Sequence, residues 1–186
     1  MKKIFLVLVL LALSCNNEPI NVDVLISGGT IHDGSGDKGY IGNVAIKNDT
    51  IFYVGKKNNF LANQTINASG KVVSPGFINM LSWGYNTLMQ DGRSLSDLKQ
   101  GVTLEVFGEG TSPGPRGSIR NNNYVSFGEA MEKLESSGVS TNIASYLGSA
   151  TVRIQEVGFA NRKATSEELN SMKNIVRIAM EEGAMG

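Results

Sequence analysis

The chain has 186 residues, a balanced formal charge and 41% hydrophobic residues. This composition is enough for one globular domain, or for a small domain with part of a second one. The balanced charge argues against a nucleic-acid partner. The single cysteine, Cys15, excludes both a disulfide framework and a cysteine-based zinc site within the chain.

The first 14 residues are predicted to be a signal peptide. A basic start is followed by an apolar run over residues 4–13, which is shorter than the roughly 20 residues that a membrane span needs. The run ends at Ala12-Leu13-Ser14-Cys15, which resembles a bacterial lipobox, in which the cysteine is lipidated after cleavage. We therefore predict lipidation of Cys15, a tether over residues 15–21, and a lipid-anchored protein of the bacterial cell envelope, periplasmic or on the cell surface. The alternative is an ordinary secretory signal with an incidental cysteine.

Residues 22–74 are predicted to form a small antiparallel β module. A β-rich stretch over residues 22–27 ends at Gly28-Gly29, a turn signal. Stretches 43–47 and 50–54 flank Asn48-Asp49 and predict a hairpin. Stretches 65–67 and 71–73 flank Ala68-Ser69-Gly70 and predict a second hairpin in the same way.

From residue 75 onwards, predicted strands alternate with predicted helices. The strands are expected at residues 77–81, 102–107 and 140–147, and the helices at 94–100, at 127–136 and from Ser166 onwards. Ser94 is expected to cap the first helix, and Gly101 and Gly138 to stop the first two helices. This alternation indicates parallel βαβ units, either in a barrel or in a doubly wound sheet.

Four stretches, in this order and spacing, resemble one family. The first is Leu25-Ile26-Ser27-Gly28-Gly29-Thr30 with Asp33-Gly34-Ser35-Gly36. The second runs from Ile66 to Ile78 and contains Ser74-Pro75-Gly76-Phe77, and the third is Gln100-Gly101-Val102-Thr103 with Gly108. The fourth runs from Asn142 to Gly148, and Arg153 follows it. Together they resemble the amidohydrolase superfamily, and within it the N-acyl-D-amino-acid deacylases, or D-aminoacylases.

The resemblance implies an α/β fold and a hydrolytic function. The expected architecture is an incomplete (β/α)₈ TIM-like barrel of about three βα units over residues 75–186, preceded by part of a β-sandwich over residues 22–74. The expected activity of the full-length protein is metal-dependent hydrolysis of the linear amide bond of small-molecule N-acyl-D-amino acids, with one zinc ion. The catalytic residues are unknown and expected downstream of this chain, so the fragment alone is expected to be inactive.

The chain departs from the superfamily at the end of the first barrel strand. Most amidohydrolases carry His-x-His there, whereas this chain has Leu81-Ser82-Trp83. Leucine cannot bind a metal, and the indole nitrogen is only a donor. His32, the single histidine, lies in the sandwich region, where we expect an exposed loop residue. The departure motivates an alternative function, a non-catalytic surface lipoprotein with a degenerate barrel.

Several residues near the predicted strand ends are candidates for the site. Glu109 is the candidate metal ligand, because it lies between Gly108 and Gly110, where the related deacylases place a ligand after strand two; the alternative is a solvated loop carboxylate. Arg153 is a candidate for binding a substrate carboxylate, and the alternative is a structural salt bridge. Trp83 and Ser82 are further candidates for substrate binding.

Two other features lie close to these candidates in the sequence. Glu105, on the second predicted strand, is either an internal barrel carboxylate or the partner of a basic side chain. The segment Gly114 to Gly117 contains Arg116 but lacks the spacing and the lysine of a phosphate-binding loop, and we predict a mobile loop.

Overall fold

A computed structural model describes residues 18–117 and 122–186. The predicted signal peptide and residues 15–17 of the predicted tether, which include Cys15, lie outside the described residues. The chain divides into two compact units, with the boundary between Pro75 and Gly76. No helix in the described part of the chain is long and apolar enough to cross a membrane.

The first unit is a five-stranded mixed sheet. Its strands are β1 (Ile20–Ile31), β2 (Tyr40–Lys47), β3 (Thr50–Gly55), β4 (Phe60–Asn67) and β5 (Val72–Val73). The order is β3-β2-β1-β4, and β5 also pairs with β1. Pairing is antiparallel between β1 and β2 and between β2 and β3, so the predicted first hairpin is confirmed. Its core contains Val22, Leu25 and Ala45.

Two sequence predictions for this unit were wrong. The second hairpin does not form, because β4 and β5 both pair with β1 in parallel, one after the other. The module is therefore mixed and not antiparallel. Strand β1 also continues through Gly28-Gly29, where the pairing register shifts. Gly28 has a φ of 75°, and its N–H donates to Asn43 Oδ1 at 3.0 Å, so the glycine forms a bulge and not a turn.

The second unit contains three parallel strands in the order β6-β7-β8. They are β6 (Phe77–Asn79), β7 (Val102–Phe107) and β8 (Asn142–Ser145). Five helices are described between and after them. These are α1 (Tyr85–Leu88), α2 (Leu95–Leu98), α3 (Phe127–Ser136), α4 (Ser149–Glu156) and α5 (Ser166–Glu181). The predicted strand-helix alternation is confirmed, although α1 and α4 were not predicted.

Helices α3 and α5 begin where the sequence predicts because their first turns carry their own caps. In α3, the Ser126 side chain accepts from the Glu129 N–H while the Glu129 carboxylate accepts from the Ser126 N–H. Thr165 and Glu168 form the same reciprocal pair ahead of α5. Glu182, just after α5, also accepts from the Gly128 N–H at 2.9 Å and so connects the end of α5 to the first turn of α3.

One cluster of buried residues in the second unit lies between β7 and the helices. Phe107 packs with Tyr85 and Leu88 of the α1 region and with Leu134 of α3. In contrast, Phe77 and Ile78 of the first parallel strand are 60% and 55% exposed. Strand β6 is an edge strand in the described part of the chain, so only one neighbouring strand covers it. The last residues run beside β8, since Met185 N–H donates to Ser145 O at 3.0 Å.

Candidate active site

Glu105 in β7 is a buried carboxylate surrounded by hydroxyl groups. It is 2% exposed. Ser82 donates to its Oε2 at 2.7 Å, and Ser94 and Thr141 donate to its Oε1 at 2.7 and 3.0 Å. We call these three side chains the hydroxyl cluster. Because residues alternate along a strand, Glu105 lies on the same face of β7 as Phe107, which packs against helices.

This arrangement answers one open question and corrects one prediction. Among the described residues, Glu105 has hydroxyl partners and no basic one, so the carboxylate is internal, on the side of the sheet that faces the helices. Ser94 does not cap α2 with its side chain, because that hydroxyl donates to Glu105. The backbone of Ser94 is left-handed, with a φ of 45°. Gly101 does follow α2 with a φ of 81°, as expected for a C-terminal stop.

A cavity of about 350 Å³ lies at the carboxyl ends of β6 and β7. We call it the strand-end pocket. Carboxyl ends of parallel strands are where barrel enzymes place their sites. The pocket brings together two of the predicted substrate-binding residues, Ser82 and Trp83. Their function remains a prediction. The pocket is lined by Ser82, Trp83, Tyr85, Asn86, Phe107, Gly108, Thr111, Ser112, Pro113, Pro115, Arg116, Gly117, Thr151, Ile154 and Gln155.

The sequence did not identify Arg116 as a lining residue of this pocket. Its Nη2 donates to Tyr85 Oη at 3.1 Å, and its guanidinium carbon lies 5.3 Å from the centre of the Tyr85 ring. The segment predicted to be a mobile loop is held at several points. The backbones of Arg116 and Val125 exchange two hydrogen bonds, and Gln155 Nε2 donates to Gly117 O at 2.7 Å. These hydrogen bonds join segments that are separate in the sequence, so no local sequence signal could have predicted that the loop is held in place.

Glu109, the candidate metal ligand, is exposed in the loop after β7. Gly108 and Gly110 on either side have φ values of 97° and 78°. A Cβ on Gly108 would meet the Tyr146 backbone oxygen at 2.0 Å, so glycine is required for the close approach of the two chain segments. The loop therefore presents a carboxylate at a strand end.

Arg153 lies in α4, which follows the third parallel strand. Its Nη2 donates to the carbonyl oxygens of Ala160 and Arg162, at 2.9 and 2.7 Å. The guanidinium thus holds the segment between α4 and α5. This placement favours the structural alternative over substrate binding, with backbone carbonyls in place of the salt bridge that was considered.

The described residues do not form a metal site by themselves. No group of three or more histidine, cysteine, aspartate or glutamate side chains with ligand geometry occurs in residues 18–117 and 122–186. His32 is exposed in the first unit, as predicted. Glu109 is at most one ligand of an ion, so no catalytic step can be derived through a metal from these residues.

Comparison with known proteins identifies relatives along most of the chain. No family model matches. A D-aminoacylase from Alcaligenes xylosoxydans xylosoxydans is 29% identical over 180 residues, which are 88% of this chain and 37% of the relative. An N-acyl-D-aspartate deacylase from the same organism is 24% identical over 92% of this chain and 37% of the relative. The chain thus spans about 37% of the length of these curated relatives.

Solved structures match over the same extent. The crystal structure of a D-aminoacylase, described as defining a subset of amidohydrolases, has a TM-score of 0.79 at 28% identity. The match covers 89% of this chain and 38% of the D-aminoacylase chain. An N-acyl-D-glutamate deacylase from Bordetella bronchiseptica, complexed with zinc and a phosphonate inhibitor, has a TM-score of 0.80 at 24% identity, with the same coverage, and supports the fold. The chain is therefore a relative of the D-aminoacylases and N-acyl-D-amino-acid deacylases, which confirms the resemblance predicted from its sequence.

Proposed function

We propose that this chain is part of a longer protein that hydrolyses N-acyl-D-amino acids in a metal-dependent reaction. The observation that carries the proposal is the 29% identity to a D-aminoacylase over 88% of the chain. The strand-end pocket supports it, because its volume is in the range of small-molecule sites, roughly 300–1,000 Å³. Such a hydrolase would act on a linear amide bond.

The proposal includes a barrel and a β-sandwich as the architecture of the longer protein. Residues 75–186 would supply about three βα units of a (β/α)₈ barrel, and residues 22–74 would supply part of a β-sandwich. The parallel order β6-β7-β8 supports the first part, since each of these strands is followed by helical segments.

Zinc is the proposed metal, and Glu109 is its one candidate ligand in this chain. A carboxylate is an acceptable zinc ligand beside imidazoles. The other ligands, and the group that moves the proton, would lie outside these 186 residues, so we expect the isolated chain to be inactive.

A second candidate function is a non-catalytic surface lipoprotein. The observation that favours it is the Leu81-Ser82-Trp83 stretch, which offers no imidazole at the end of the first parallel strand. The Ser82 hydroxyl at this position donates to Glu105 instead.

The deciding experiment measures zinc content and amide hydrolysis in the full-length protein. We expect bound zinc, release of D-amino acids from N-acetyl-D-amino acids, and loss of activity on chelation that added zinc restores. Glu109→Gln should lower both zinc content and activity, whereas Glu132→Gln, an exposed carboxylate on α3, should change neither. A wild-type protein that holds no zinc and releases no D-amino acid would favour the non-catalytic candidate.

The lipid anchor is a separate proposal that concerns Cys15. A single acyl chain gives only marginal membrane binding, whereas several chains on one cysteine would hold the protein firmly. Cys15→Ala should move the protein from the membrane fraction to the soluble fraction of cells. Retention of the variant in the membrane pellet would contradict the anchor.

A further inference from the structure

We propose that the strand-end pocket binds the carboxylate of the substrate, and that the Arg116 guanidinium is the group that binds this carboxylate. The identity of the ligand as an N-acyl-D-amino acid rests on the proposed function. The assignment of Arg116 does not, because it follows from the charge and the hydrogen bonds of the pocket.

The pocket has a single formal charge among its described lining residues, and that charge is positive. Arg116 supplies it, while the other lining side chains are neutral hydroxyl, amide, aromatic and aliphatic groups. Within the described part of the chain, the ion pairs join other residues, and none of them involves Arg116. A pocket with an arginine and no carboxylate among its described lining residues is suited to an anionic ligand.

The Arg116 guanidinium keeps donors available for such a ligand. An arginine has five N–H donors, and the hydrogen bond to Tyr85 Oη uses one of those on Nη2. No other side-chain hydrogen bond of Arg116 is found among the described residues. A carboxylate could therefore accept two parallel N–H bonds from the planar guanidinium, a geometry that a lysine cannot offer.

The position of the guanidinium is set before a ligand arrives. The two backbone hydrogen bonds between Arg116 and Val125 fix the main chain, at 3.0 and 2.9 Å. Tyr85, which is 8% exposed, donates its hydroxyl to Ala130 O at 3.3 Å and accepts from Arg116. A binding group held in place in this way loses less conformational entropy when a ligand binds.

The rest of the pocket suits the uncharged parts of an acylated amino acid. Trp83, which is 65% exposed, and Ile154 offer apolar surface. Thr151 Oγ1 accepts from Ser112 N–H at 2.8 Å and thereby holds the loop after β7 against α4. Arg153 on α4 donates to two backbone carbonyls and is not among the described lining residues.

The test compares a carboxylate substrate with its uncharged amide in the full-length protein. For Arg116→Gln, we expect KM for N-acetyl-D-leucine to rise about 10-fold, the effect of losing a charge-assisted hydrogen bond, with a much smaller change in kcat. KM for N-acetyl-D-leucinamide should stay within about twofold, because this ligand has no carboxylate for Arg116 to bind. Arg177→Gln, which removes an exposed arginine paired with Glu181 on α5, should leave both values unchanged.

Two further measurements apply if the variant does not fold or if the wild type is inactive. If Arg116→Gln does not fold by circular dichroism, Arg116→Lys replaces it, and its KM for the acid alone should rise because the planar fork is lost. If the wild type is inactive, the proposed function fails, and equilibrium dialysis of labelled N-acetyl-D-leucine and of its amide tests the pocket instead. Binding of the acid that Arg116→Gln abolishes would support the proposal. Equal effects on acid and amide, no effect of the variants on KM, or no binding of the acid to the wild type would overturn it.

Discussion

The middle of β7 and the loop that follows it carry two carboxylates in opposite surroundings. Glu105 is 2% exposed and accepts hydrogen bonds from three hydroxyl groups, whereas Glu109 is exposed between two glycines in left-handed conformation. The two residues are four positions apart, and both are glutamates. Burial and hydrogen-bond partners, which depend on the fold, thus decide whether a carboxylate stabilises the protein or is free to bind a ligand.

The largest expected effect is that of Glu105→Ala. It would leave the hydroxyl cluster without its common acceptor and open a cavity in the interior, at a cost of about 3 kcal/mol in the free energy of unfolding. Urea denaturation of the full-length protein measures this cost. Glu105→Gln, which has a similar shape and retains an acceptor, should cost clearly less. An Ala variant as stable as the wild type would mean that the cluster is unimportant for stability.

A smaller effect is expected when one member of the hydroxyl cluster is removed. Thr141→Val keeps the branched shape of the side chain and deletes its hydrogen bond to Glu105, which should cost about 1–2 kcal/mol in the same denaturation experiment. Combined with Glu105→Ala, the valine substitution should add little, because its partner is already gone. Full additivity would argue that the two side chains act independently.

A third carboxylate, that of Glu168, is bound by a guanidinium near the surface. Arg162 binds Glu168 at 2.6 and 2.7 Å and, with the Thr165 N–H, lowers the pKa of Glu168 from 4.5 to about 2. A lowered pKa in the folded state stabilises the protein above the ordinary pKa, and this contribution is lost as the pH falls from 4.5 towards 2. Glu168→Gln, which retains the capping acceptor, should therefore lower Tm slightly near neutral pH. The difference should shrink in acid, whereas a difference independent of pH would contradict the charge argument.

The smallest effect on stability is expected at Glu109. Because its side chain is exposed, Glu109→Gln should change the free energy of unfolding by less than about 0.5 kcal/mol when zinc is removed by a chelator. Urea denaturation beside Glu105→Gln gives the direct comparison. A large loss of stability in the absence of metal would mean that Glu109 has a structural role that its exposure does not indicate.

The sequence predicts local features of this fold better than non-local ones. Helix α3 has the predicted bounds and α5 begins at Ser166, because reciprocal caps of neighbouring residues fix both starts. The second hairpin was wrong because β4 and β5 each pair with β1, far away in the chain. Spacing alone could not show that pairing.

The same limit applies to the candidate site. Ser82 and Trp83 could be placed near a strand end from sequence, and the structure brings them into one pocket. Arg116 was passed over, and Arg153 was kept as a candidate beside its structural alternative, because only tertiary contacts show which guanidinium faces a pocket and which faces backbone carbonyls. Arg116 and its partner Tyr85 are 31 residues apart, so no local pattern in the sequence predicts their contact.

The hydrogen bond from Gly128 to Glu182 has a consequence for the dynamics of the second unit. It closes the first turn of α3 with a side chain that follows α5, 54 residues further along the chain. Phe127 and Ala179 also belong to one buried cluster. The Gly128 amide proton should therefore exchange with solvent deuterium only when the end of α5 also opens, so these two distant segments would behave as a single cooperative unit of local unfolding.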